Sequence, residues 1–127
     1  MDFMDFESYE DWISKLKEQS QQPDTVILVE GKRDKEKLNK LGIQNVIDLK
    51  GRRYYDVLED IADHYHNVIL LFDLDKHGER IFNKFKYMLG KEGIKTDSEF
   101  RNYLKNLNIE EVENLPEVTD GTDRWKF

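Results

Sequence analysis

Three carboxylates stand in this sequence where chemistry could be done. Asp73 and Asp75 lie one residue apart, just past the most apolar run of the chain, Val68-Ile69-Leu70-Leu71-Phe72. Glu30 closes a second apolar run, Thr25-Val26-Ile27-Leu28-Val29, and Gly31 follows at once. Two carboxylates so spaced at a strand end can point to the same side once the chain turns out of the pleat. Hard cations such as Mg²⁺ take oxygen ligands and keep several waters, so one or two carboxylates beside a substrate phosphate are enough. Glu30 is then a further ligand, or the acid/base that moves a proton during phosphoryl transfer. Gly31 and Gly78 let backbone approach a phosphate closely, and a helix opening near Gly78 offers free N–H groups to an anion. An Asp-x-Asp alone usually marks a loop in an acidic protein. Its pairing with a strand-end Glu-Gly gives it weight.

A basic set accompanies these acids. Lys32, Arg33, Lys50, Arg52, Arg53, Lys76 and Arg80 all fall just after predicted strand ends, where phosphate contacts would be made. Taken singly, each is equally well a solvated loop charge. The net charge of −7 would count against nucleic acid if it were evenly spread. It is not: residues 30–95 carry 14 Lys/Arg against 12 Asp/Glu, while the flanks carry 6 against 15. A near-neutral centre between acidic ends keeps a polyanion partner open. His77, next to the carboxylates, reads as a solvated loop residue or a phosphate contact. Tyr54 reads as core, and Tyr55, beside Arg52-Arg53, as a base-stacking surface.

The elements that must position these residues alternate in period. Phe6, Tyr9, Trp12, Ile13 and Leu16 share one face of a helix over 5–21, which Pro23 ends. Strands follow at 25–30, 45–49 and 67–72, with a short one at 94–96. Between them lie a short helix capped by Asp34 and closed by Gly42, a helix from Tyr54 to about Tyr65, and a helix from Gly78 to Gly90 or Gly93. A last helix runs from Asp97 or Ser98 to about Leu107. Strands alternating with helices predict an α/β fold, a parallel sheet of about four strands with helices on both faces. In such a sheet ligands bind outside the carboxyl ends of the strands, which brings Glu30, Asp73, Asp75 and the basic set to one rim.

The length of 127 residues fits one domain. Its expected divisions are an N-terminal helix over 1–24, a catalytic-type core over 25–107, and an acidic tail or short helix over 108–127. The longest apolar run is five residues, too short for a membrane span, and the acidic N-terminus is unlike a signal peptide. Cysteine is absent, which excludes disulfides and thiolate zinc sites and points to a cytoplasmic setting.

Three segments together, Val29-Glu30-Gly31-Lys32-Arg33-Asp34, Asn45-Val46-Ile47-Asp48-Leu49-Lys50-Gly51 and Leu71-Phe72-Asp73-Leu74-Asp75-Lys76-His77-Gly78-Glu79-Arg80, resemble the Toprim domain. That metal-dependent, Rossmann-like fold is shared by topoisomerases, bacterial primases, certain nucleases and recombination proteins. The resemblance spans about residues 25–96. It is strongest to small stand-alone Toprim proteins and to the Toprim half of five-S ribosomal RNA maturation nucleases. It implies that Glu30 is the acid/base, that Asp73 and Asp75 hold Mg²⁺ (with Mn²⁺ as substitute), and that Gly31 and Asp34 complete the first motif. Where such small proteins tend to carry Arg-Thr, this chain has Lys76-His77.

Two rivals fit less well. Phe72-Asp73-Leu74-Asp75 also resembles the opening motif of haloacid-dehalogenase-type phosphatases, but there Gly and then Thr or Val normally follow. A phosphoacceptor receiver domain needs an acidic pair at the end of its first strand, where this chain has Glu30 and a glycine. The expectation is therefore Mg²⁺-dependent phosphodiester cleavage or phosphoryl transfer on nucleic acid, RNA or DNA with RNA favoured, and with water as nucleophile. The alternative is a catalytically weak metal-binding module that works with a protein partner supplying substrate recognition.

Overall fold

Thr25–Val29 is buried at all five positions, as only a strand covered on both faces can be. A computed structural model describes residues 6–117, and in it this segment is β1. With β2 (Val46–Asp48), β3 (Asn67–Leu70) and β4 (Lys95–Asp97) it forms one all-parallel sheet in the order β2-β1-β3-β4. Ile27 is in register with Val46 on one side and Ile69 on the other. Alternation then sends Val26, Leu28, Val68, Leu70 and Phe72 into one core and Ile27, Val29, Ile69 and Leu71 into a second. The four-stranded α/β architecture is the one expected.

Helices α3 (Tyr54–His64) and α4 (Lys76–Lys91) cover the first face through Val57, Leu58, Ile61, Phe82, Phe85 and Leu89. On the second lie α1 (Tyr9–Ser20), α2 (Lys32–Lys40) and α5 (Glu99–Asn106), through Trp12, Leu16, Leu38, Phe100 and Leu104. The division follows from handedness. The chain steps from β1 outward to β2, then back across β1 to β3, and right-handed crossovers in opposite directions put α2 and α3 on opposite faces. The reversal opens a crevice between the carboxyl ends of β1 and β3. Among the described residues, no helix is long and apolar enough to cross a membrane.

Local chemistry shifts three expected helix starts. Ser8 accepts the Asp11 N–H at 3.0 Å and caps α1, which therefore begins at Tyr9. Gly31, not Asp34, is the N-cap of α2; Asp34 sits in the first turn and reaches back to accept the Gly31 N–H at 3.0 Å. Asp75 caps α4 by accepting the Gly78 N–H at 2.7 Å, so that helix opens at Lys76 and Gly78 is buried inside its first turn. The segment expected to be an acidic tail or short helix packs, over 108–117, on the rest of the domain. A single 3₁₀ turn, Val112–Asn114, buries Val112 and Leu115 in the second core. Residues 1–5 and 118–127, which fall in the predicted N-terminal and tail segments, lie outside the described residues.

Candidate functional site

Glu30 is the first residue past β1, and Asp73 lies three past β3, which continues beside β1 through the Leu71 N–H to Leu28 O bond of 2.9 Å. The two meet at the crevice. The Asp73 N–H donates to Glu30 Oε1 at 3.0 Å, and the Val112 N–H donates to Asp73 Oδ1 at 2.9 Å. Asp75 spends Oδ1 on Gly78. Glu30, Asp73 and Asp75 thus each give one oxygen to a backbone N–H, which orients the group and leaves its second oxygen outside these bonds. Asp75 is turned toward its helix, and among the described residues no three His, Asp or Glu side chains are drawn into a closed cation cage. The donor set still suits a hard cation, since every group is a carboxylate and Mg²⁺ needs only one or two of them beside its waters.

Gly78 closes the floor of the crevice. A Cβ there would lie 2.0 Å from the Asp73 carbonyl oxygen and 2.9 Å from Glu30 Oε1. Only glycine allows the first turn of α4 to lie against both acidic strand ends.

Crowded acids hold protons. Burial first, then the Asp73 charge, pushes Glu30 from its ordinary 4.5 to about 7, against the opposing Asp73 N–H bond. Burial and Asp73 raise Asp34 from 3.8 to about 6, although the Gly31 and Glu113 N–H groups bond to it. Burial also raises Asp73, with added repulsion from Asp75, Glu111 and Glu113. Between the ordinary and shifted values the folded chain keeps protons that the unfolded chain has released, so stability falls as pH rises. The melting temperature of the metal-free protein should therefore drop as pH goes from about 4 to about 7. A flat or rising trend across that window would show that these acids ionise freely.

The family model of the Toprim domain matches residues 25–113. This chain belongs to the Toprim family. Relatives include a UPF0292 protein of Pyrococcus horikoshii, 32% identical over 89% of this chain and 83% of its own length. Another, from Methanosarcina acetivorans, is 33% identical over 86% of this chain and 76% of its own. A solved structure of a putative protein from Aquifex aeolicus is 49% identical with a TM-score of 0.81, covering 86% of this chain and 99% of that one. The Aquifex aeolicus primase structure (zinc-binding and RNA polymerase domains) shares the fold at 21% identity and a TM-score of 0.51, over 75% of this chain and 27% of that one.

Within this Toprim domain the residues expected at the rim separate. Asp34 is buried and orders the Gly31 turn by accepting its N–H. The Gly78 N–H belongs to Asp75 and is not offered to an anion. Lys32, Arg33, Lys50, Arg53, Lys76 and Arg80 are exposed, as is Arg52, which is drawn back along α3 into an ion pair with Asp60. Lys32 and Lys50 line one cleft, whereas Arg33 lies on the other flank of α2 with Lys37 and Glu113. His77 Nε2 stands 3.8 Å from Glu30 Oε2.

Arg101 was missing from the sequence reading. It is buried to 1% exposure, donates through Nε to Phe72 O (2.9 Å) and through Nη2 to Asp73 O (2.8 Å) and Glu79 Oε1 (2.9 Å), and stacks 4.4 Å over the Phe82 ring. It thereby pins the strand end that carries Asp73 to the first turns of α4. The available signal was a cation between Phe100 and Leu104 on an apolar helix face.

Proposed function

We propose that this Toprim domain hydrolyses phosphodiester bonds in nucleic acid with Mg²⁺, Mn²⁺ serving as a substitute. The observation that carries the reading is Glu30, a carboxyl held near neutrality whose Oε1 is fixed by the Asp73 N–H. A group with a pKa near the working pH is present in both forms in comparable amounts. Its Oε2 accepts the proton of an attacking water or returns one to the leaving oxygen. Asp73 and Asp75 would hold the cation, with Glu30 beside them. Bound Mg²⁺ supplies positive charge at the scissile phosphate and lowers the pKa of coordinated water. Arg101 and Gly78 keep the acidic strand ends in register with α4, so that the carboxylates need little reorganisation. RNA is the favoured substrate because the motif set resembles that of five-S ribosomal RNA maturation nucleases.

A second reading draws on the acidic wall that Glu111 and Glu113 build beside Asp73, held there by the Leu74 N–H to Glu110 O bond of 2.7 Å. Such a wall repels polyanions, which suits a metal-binding module that relies on a partner for substrate. Incubation with structured RNA separates the two. Cleavage that requires Mg²⁺ and is lost in Asp73→Asn supports the hydrolase; no cleavage by the wild-type chain at saturating Mg²⁺ supports the module.

A further inference from the structure

The rim around the carboxylates is electrically lopsided. On the side of the 3₁₀ turn stand Glu110, Glu111 and Glu113. On the side of β2 a cleft of about 340 Å³ is lined by Lys32, Lys35 and Lys50, with Glu36, Asn39 and Asp48. The Asp48 side chain accepts the Lys50 N–H at 3.1 Å and sets the turn that presents Lys50. None of the three lysines is engaged in an ion pair among the described residues. Just beyond Lys50, the first turn of α3 turns Tyr54 inward onto Phe85, centroids 5.0 Å apart, and leaves Tyr55 73% exposed. Tyr55 closely follows Lys50, Arg52 and Arg53 along the chain, and an exposed aromatic on a segment that also carries cations joins a stacking face to phosphate-binding charge, the combination that holds single strands.

We propose that nucleic acid crosses this site as a single strand running from the carboxylates toward β2, its phosphates against Lys32, Lys35 and Lys50 and an unpaired base on Tyr55. The inference rests on the nucleic-acid reading above and deepens it. The acidic wall excludes the opposite direction, since a phosphate backbone there would face Glu111 and Glu113. A cleft of this size seats a sugar-phosphate segment and cannot grip a duplex from both strands. A base already paired in a helix has no face to offer Tyr55.

Fluorescence anisotropy with a labelled oligouridylate and with a labelled blunt-ended RNA duplex, both in EDTA, tests this. Tyr55→Ala should weaken single-strand binding about tenfold or more, leave the salt slope unchanged and leave duplex binding unchanged, and Tyr55→Phe should restore the loss. The triple variant Lys32→Gln/Lys35→Gln/Lys50→Gln should flatten the log–log salt slope by about 2, at roughly 0.7 per phosphate contact. Tyr87→Ala, 67% exposed and with Lys91 Nζ 5.4 Å over its ring but late in α4, far along the helix from the strand-end carboxylates, is the control and should bind as wild type. Wild-type binding that survives both sets of changes overturns the path while leaving the nucleic-acid reading intact. A wild-type chain that binds neither probe at low salt overturns both, and leaves the lysine cleft to an acidic protein partner.

Discussion

Glu30→Gln is expected to lower turnover by about 10²–10⁴-fold while the protein still binds Mg²⁺. The amide has nearly the same shape, and its Oε1 can still accept the Asp73 N–H. What it lacks is a proton it can take up or release near pH 7. The change also removes one negative charge from a cluster in which Glu30 is repelled by Asp73, Asp75 and Asp34. The metal-free variant should therefore be as stable as wild type or more so at neutral pH, and its melting temperature should depend less on pH. Steady-state turnover, Mg²⁺ titration and a pH series of melts separate these effects. Wild-type turnover in the variant would remove Glu30 from proton transfer.

Gly78→Ala should destabilise the fold by about 3 kcal/mol, at the upper end of ordinary overpacking costs. The added methyl would stand 2.0 Å from Asp73 O and 2.6 Å from Asp73 C, and both are backbone atoms that no rotamer can move. Relief requires α4 to withdraw from the strand end, and Asp75, which caps that helix through the Gly78 N–H, moves with it and parts from Asp73. Metal binding should thus fall together with stability. Gly90→Ala in the same helix is the contrast, with nothing within 4 Å of the new Cβ and an exposed position. It should stabilise by about 0.5–1 kcal/mol, because alanine is the better helix former. Equal effects from the two substitutions would mean that the tight floor under the site is not real.

Much of this geometry is legible from residue order alone. An all-apolar β-branched run such as Thr25–Val29 admits few structures, and parallel topology then carries every strand-end residue to one rim. That is why Glu30 and Asp73, 43 positions apart, meet through the 3.0 Å bond. Less legible was what holds them. Val112 reaches Asp73 through its backbone N–H, an interaction that leaves no mark on side-chain type, and its 3₁₀ turn is three residues long, too short for a periodic pattern. Asp34 carries the same signature whether it caps a helix or reaches back from the first turn, and only the position of Gly31 decides. Arg101 looked like one more solvated charge. Its burial depends on the Phe72 and Asp73 carbonyls, just past β3, lying where its guanidinium reaches them, a coincidence of tertiary structure.

The claim that the carboxylates at the β1/β3 crevice form a divalent-metal site is tested most directly by Mg²⁺ titration of the melting temperature, in the wild-type chain and in Asp73→Asn/Asp75→Asn. A cation that binds only the folded state stabilises it by mass action, by about 2.7 kcal/mol at 100 times Kd. The wild type should rise steadily with Mg²⁺, and the double variant should stay where it began. A wild-type melting temperature that ignores millimolar Mg²⁺ and Mn²⁺, or an equal rise in both proteins, would contradict the account.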